Sequence, residues 1–335
     1  MTSTLINNAA QSPVPSSMKA WRVHEFGPPE AMIFEMVPRS DPGPSEVLVK
    51  VHASGVGPWD GWIRAGRSAL PQPLPLTLGS DLSGEVAALG SGISDVAAGD
   101  QVFGVTNPQF VGAYAEYAVA CAGMLAKKPN SLGYVEAASV PIIAVTAWQG
   151  LFDKAHLKAG QTVVIHGGAG NVGAYAVQLA RRARLRSIVT AGTEDIAYVQ
   201  ALGADKVVDY HTQRFEDEVA DADAVLDLVG GETLTRSFQV LRRGGAVIST
   251  VSDPDQDRAK HHGVTAAFFL VEVTTERLRR IAELIDRGEL KTRVGAVLPF
   301  ADARKAHRML EGRRPLPRGK IILNVEAAGE VTPTA

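Results

Sequence analysis

The stretch Val163-Val-Ile-His-Gly-Gly-Ala-Gly-Asn-Val-Gly173 constrains this chain more than any other. It contains Gly168-x-Gly170-x-x-Gly173, between a β-branched run and a segment of helical periodicity. In that strand–glycines–helix context each glycine has its own duty. Gly168 allows the tight turn, Gly170 lets the backbone approach a pyrophosphate, and Gly173 lets helix and strand pack closely. Asn171 and Val172 open the helix, whose N-terminus offers free N–H groups and a positive dipole end to an anion. The reading is a dinucleotide-binding α/β unit built on a doubly wound parallel sheet.

The surrounding pattern agrees. Thr162 to Ile165 is a short strand, and residues 171–183 place Val172, Tyr175, Ala176 and Leu179 on one helical face. A second strand, Ile188 to Ala191, precedes a predicted helix from Glu194 to Leu202 with Thr193 as its N-cap. Further apolar runs at Val207-Val208, Ala224 to Leu228, Ala246 to Thr250 and Val264 to Phe269 alternate with polar segments. Strands that alternate with helices imply crossover units and a parallel sheet. From Met18 to about residue 130 the chain instead alternates short strands with turns, such as Val47-Leu-Val-Lys-Val51, and predicts a barrel-like domain. Thr275 to Arg287 reads as a helix, and 294–325 as strand, helix, strand. Residues 1–17 show no periodicity and read as a flexible tail.

Composition excludes several classes. The 335 residues carry a net charge of −2 with basic residues spread along the chain, which argues against nucleic acid. No apolar run reaches the roughly 18 residues of a membrane span, and the N-terminus lacks a signal-peptide pattern. Cys121 is the only cysteine, so no internal disulfide can form, and a reducing cytoplasm fits.

The end of the second strand bears on the cofactor. An acid there would hold a ribose 2′-hydroxyl, but the strand ends Val189-Thr190-Ala191-Gly192-Thr193. A neutral Thr190 leaves room for a 2′-phosphate and points to NADPH. Glu194 and Asp195 follow and read as complements to the helix dipole.

Several segments together resemble the quinone oxidoreductase-like branch of the medium-chain dehydrogenase/reductase superfamily. They are Met18-Lys-Ala20, Gly79-Ser-Asp-Leu-Ser-Gly84, Ala98-Ala-Gly-Asp-Gln-Val-Phe-Gly104 and Gly112-Ala-Tyr-Ala-Glu-Tyr117. The glycine loop, Val225-Leu-Asp-Leu-Val-Gly-Gly231 and Pro317-Arg-Gly-Lys320 complete the set. The resemblance implies a chaperonin-10-like (GroES-like) β-barrel domain over 18–140 and a Rossmann nucleotide-binding domain over 141–287. A segment over 288–335 would return to the first domain. It also implies a homodimer.

Zinc-dependent relatives bind metal through an early cysteine and a later His-Glu pair. Here Gly57 and Ser80-Asp81 stand at those positions, and neither Gly nor Ser is a usual zinc ligand, so a zinc-free protein is expected. The resemblance places Thr146 and the Phe268-Phe269 segment beside the nicotinamide, Tyr210 near the adenosine phosphate, and Lys320 near the cofactor. Leu228-Val229 and Thr250-Val251 end strands at the cleft, and Thr190 and Thr193 stand at its adenosine end. Two departures stand out. Relatives usually carry Asn where this chain has Gly57, and several carry a lysine for the 2′-phosphate where it has Asp195. No acid/base residue emerges. Trp59 is expected as a pocket wall and Asp60 as a structural acceptor.

Without a Lewis acid or base to handle a hydroxyl proton, hydride addition to an activated quinone or α,β-unsaturated carbonyl is the accessible chemistry. The alternatives are an enoyl-thioester reductase of a biosynthetic pathway and a non-catalytic NADPH-binding sensor.

Overall fold

The computed structural model describes residues 14–312, 314 and 317–326. The expected tail lies largely outside the described residues, and ordered strand already begins at Ser17. The first half contributes β1 (Ser17–Val23), β2 (Met32–Pro38), β3 (Glu46–Val56), β4 (Leu76–Thr77), β5 (Asp81–Leu89), β6 (Gln101–Val105), β7 (Tyr117–Cys121) and β8 (Leu125–Lys127). The second contributes β9 (Thr162–Ile165), β10 (Arg186–Ala191), β11 (Lys206–Asp209), β12 (Ala222–Asp227), β13 (Leu241–Ser249) and β14 (Thr265–Phe268). The chain then returns through β15 (Val294–Pro299) and β16 (Lys320–Asn324).

Strands β15-β16-β3-β5-β6-β8 form one sheet, in which β7 also pairs with β3. β3 was expected to be half-buried, yet Leu48, Val49 and Val51 are all buried. It runs through the middle of the barrel with partners on both sides, and register shifts at Leu48/Val49 and Val51/Ala53 turn its side chains between faces.

Strands β2-β1-β4 form a separate three-stranded antiparallel sheet. The third sheet runs β11-β10-β9-β12-β13-β14 with every pairing parallel. Chain order reverses between β9 and β12, and such a reversal opens a crevice at the carboxyl ends of the strands. β13 starts at Leu241, five residues earlier than its apolar run suggests, because Arg242 and Arg243 occupy exposed strand positions. Thr193 does not cap the next helix. It opens a 3-10 turn, Thr193–Asp195, and the helix proper is Ile196–Leu202. The seven-stranded barrel sheet and the parallel sheet share a core in which Phe103 and Val105 pack with Val163, Ile165 and Leu179. Trp59 and Phe110 pack against both this core and that of the barrel, which places them at the junction of the two sheets.

Candidate active site

β9 ends at Ile165, and the chain must turn at once to start the helix Asn171–Arg182. The left-handed turn falls at Gly167 (φ +75°), one residue earlier than expected. Gly168 is needed for a different reason: a Cβ there would lie 2.0 Å from Val189 Cγ1 on β10. A Cβ at Gly173 would lie 2.2 Å from the Gly167 carbonyl, so this glycine is the close helix–loop contact. At Gly170 a Cβ would meet only the Gly167 oxygen, at 3.3 Å. Gly170 caps the helix with extended backbone and no side chain, leaving the first-turn N–H groups without internal acceptors. An open cradle at a helix N-terminus fits a pyrophosphate.

A buried polar chain, absent from the expectations above, fastens this turn. Ser237 donates its only proton to the Thr233 carbonyl (2.7 Å), so His166 Nε2–H donates to Ser237 Oγ (3.1 Å). His166 Nδ1 then accepts from the Thr190 hydroxyl (3.2 Å), whose oxygen accepts the Gly167 N–H (3.2 Å). Burial pushes the His166 imidazole down to about 3, so it stays neutral. Thr190 is therefore bound inward to the turn and not turned to a ribose.

Across the crevice, the short helix Pro58–Arg64 carries the opposing wall. Its start is fixed by Asp60, whose carboxylate accepts the Gly57 N–H at 2.7 Å and the Tyr114 hydroxyl at 3.3 Å. Its end is fixed by buried Arg64, which donates to the Gly27 carbonyl (3.0 Å), to His307 Nδ1 (2.9 Å) and to Glu311. Held at both ends, the helix presents Trp59. The indole Nε1–H donates to Ser80 Oγ at 3.0 Å, and the Lys320 ammonium lies 4.1 Å from the ring centroid. That ammonium is fully buried and donates to Asp81 Oδ2 at 2.8 Å, while Asp81 Oδ1 accepts the Ile142 N–H at 3.0 Å. Thus Gly57, Ser80 and Asp81, the positions of metal ligands in zinc-dependent relatives, are engaged by Asp60, Trp59 and Lys320. Among the described residues no group of three or more His, Cys, Asp or Glu side chains could hold a metal ion.

Burial lifts the Asp60 carboxyl to about 7, against the lowering effect of the Gly57 hydrogen bond. A raised folded value means the neutral form is favoured. Its contribution to stability is complete below the unfolded value of 3.8 and is lost as pH rises through 7. Asp60→Asn keeps an acceptor for Gly57 and cannot ionise. Relative to the parent, it should gain about 2–3 kcal/mol of stability between pH 5 and pH 8. Urea denaturation at both pH values measures this, and parallel pH profiles for the two chains would refute it.

The crevice encloses about 510 Å³. It brings together Trp59, Thr146, Gly170, Asn171, Val172, Gly173, Leu228, Thr250, Val251, Phe268, Phe269 and Lys320. Thr146 spends its hydroxyl proton on the Ile142 carbonyl (2.7 Å). Asp60 does not reach the crevice and is fully buried behind its wall. Thr190, Thr193, Tyr210, Val229 and Gly168 do not line it either. Val229 and Tyr210 are more than half exposed, and the Thr193 hydroxyl donates to Asp209 at 2.6 Å. Asp195 was read as a helix-dipole complement. It pairs instead with Arg318, whose guanidinium stacks 4.6 Å from the Tyr198 ring centroid. Arg293 lies 5.0 Å from the same ring. The partner of Asp195 comes from a segment 123 residues away, beyond reach of local pattern.

A parallel sheet with a glycine cradle at its switch point, facing a wall carried by a mixed, mostly antiparallel sheet, defines a two-domain dinucleotide-dependent oxidoreductase. Comparison with known proteins agrees. Residues 43–130 match the alcohol dehydrogenase GroES-like domain, and 202–323 match the zinc-binding dehydrogenase family. The human quinone oxidoreductase is 33% identical over 312 residues, covering 87% of this chain and 93% of that protein. An Arabidopsis thaliana NADPH-dependent alkenal/one oxidoreductase is 31% identical over 318 residues, covering 91% and 78%. The solved quinone oxidoreductase of Coxiella burnetii superposes with a TM-score of 0.85 at 33% identity, covering 92% of this chain and 99% of that one. The chain belongs to the zinc-free quinone oxidoreductase-like branch of the medium-chain dehydrogenase/reductase superfamily.

Proposed function

We propose that this protein reduces quinones or α,β-unsaturated carbonyl compounds with NADPH. One observation carries the reaction class. Among the described residues, no Asp, Glu, His, Cys or Tyr lines the crevice. Alcohol oxidation needs a group to take the hydroxyl proton, and the Lys320 ammonium in this wall, paired with Asp81, is a donor and not an acceptor. Hydride addition to a conjugated acceptor needs none, because the electrons delocalise onto the carbonyl oxygen. A bound reduced nicotinamide would supply a hydride, two electrons with one proton, to the conjugated acceptor, and the oxyanion left on the acceptor would be neutralised by a proton from water. The protein's part is to hold both partners face to face and keep the site apolar. Thr146, Phe268 and Phe269 form the nicotinamide side of the crevice; Trp59, Trp62 and Phe110 form the acceptor side. Anaerobic mixing with NADPH and a quinone and enone panel tests this. Turnover supports the reading, whereas tight NADPH binding without oxidation by any acceptor would favour a sensor.

The choice of NADPH rests on the end of β10. Thr190 places no carboxylate there, and an arginine near this point favours a 2′-phosphate. Arg318 is that arginine, held against Tyr198 and neutralising Asp195. NADPH should bind at least about tenfold tighter than NADH, roughly 1.4 kcal/mol. Arg318→Gln should erode that preference by weakening NADPH alone. Fluorescence titration of both cofactors decides it, with equal parental affinities as the refuting result.

We further propose a homodimer in the cytoplasm. β14 ends the parallel sheet, so its outer edge is available to a second copy. Among the described residues no helix is long and apolar enough to cross a membrane.

A further inference from the structure

Gly57 and Trp59 share one space. A Cβ built on Gly57 falls 2.3, 2.4 and 2.5 Å from the Cη2, Cζ2 and Cζ3 atoms of the Trp59 ring, closer than any real Cβ contact. The indole therefore lies where a side chain at position 57 would begin, and only glycine admits it. Ser80 holds the ring's orientation through Nε1, and the Lys320 ammonium sits over the ring, 4.1 Å from its centroid. The ring is only partly buried and forms part of the crevice wall with Thr146 and Phe110. A ring already fixed in place loses little freedom when a ligand stacks on it. Its position beside a buried cation also suits an acceptor that gains negative charge during reduction.

We propose that Trp59, admitted by the missing side chain at Gly57, is a stacking platform that selects flat, fully conjugated ring acceptors over open-chain enones. The inference rests on the reductase reading and names the substrate class for that site. On the face opposite the ammonium a planar quinone can lie in an offset stack, whereas a flexible alkenone presents too little π surface to match it. Gly57 and Trp59 are thus one determinant: restoring a side chain at 57 removes the platform without touching position 59.

The test measures kcat/KM with NADPH for 1,4-naphthoquinone and for 3-penten-2-one, together with calorimetric binding of 1,4-naphthoquinone in the absence of NADPH. Trp59→Leu should lower the naphthoquinone-to-pentenone ratio about tenfold and weaken naphthoquinone binding by a similar factor. Trp59→Phe, which keeps an aromatic face, should recover most of both. Gly57→Asn should reproduce the Trp59→Leu result by expelling the ring. An unchanged ratio in Trp59→Leu, or a Gly57→Asn chain that keeps the parental ratio, overturns the proposal. Should the parent reduce neither acceptor while its naphthoquinone binding still depends on Trp59, the reductase reading falls and the platform stands.

Discussion

Lys320→Met lowers the unfolding free energy by about 3–5 kcal/mol, the cost of stranding one member of a buried ion pair. The Lys320 and Asp81 side chains are 0% and 1% exposed, so water cannot replace the lost partner. Burial already raises the Asp81 carboxyl, and only the nearby ammonium and the Ile142 hydrogen bond oppose it. Removing both charges is a different experiment. Lys320→Met combined with Asp81→Leu should lose less than Lys320→Met alone, because no charge remains to be desolvated. Urea unfolding at pH 7 measures both chains. A single variant as stable as the parent would show that the pair carries no such cost.

Gly170→Val should weaken cofactor binding at least about a thousandfold, some 4 kcal/mol, with little effect on folding. The backbone at Gly170 (φ −70°, ψ 170°) suits any residue, and its Cβ would touch one oxygen at 3.3 Å. The added methyl groups would instead stand over the N–H groups that a pyrophosphate must approach. Gly168→Val is the informative contrast. Its Cβ would penetrate Val189, so that variant should fail by destabilisation rather than by loss of binding. Cofactor titration and urea unfolding on both variants separate the two roles. Normal NADPH affinity in Gly170→Val would remove the cradle from the site.

Much of this architecture is visible in the chain before folding. The strand–helix alternation and the strand–helix–strand pattern of 294–325 follow from periodicities of two and 3.6 and from turn residues, while the return of that last segment to the barrel comes only from the family resemblance. The periodicities are local signals. The features that set the chemistry are not local. Asp81 meets Lys320 across 239 residues, Arg64 meets His307 across 243, and His166 joins Thr190 to Ser237. Thr190 illustrates the consequence: its position at the strand end is legible, but its inward hydroxyl depends on an imidazole whose tautomer is fixed 71 residues away. Gly57 illustrates it again. An absent amide reads as a loss in sequence, while the space it leaves is filled by a ring two residues later.

The Asp81 carboxylate joins three stretches of chain: β5, the start of the helix Pro141–Trp148, and β16. This bears on the order in which a ribosome can complete the molecule. The strands β1 to β8 emerge first, but the neighbour of β3 and the counter-ion of Asp81 lie near the other terminus. The parallel sheet, by contrast, has all its strands within one continuous stretch and can close as soon as β14 has emerged. Synthesis and completion therefore run in opposite order: the barrel begins first and is sealed last, by a lysine delivered after the nucleotide-binding half is already whole.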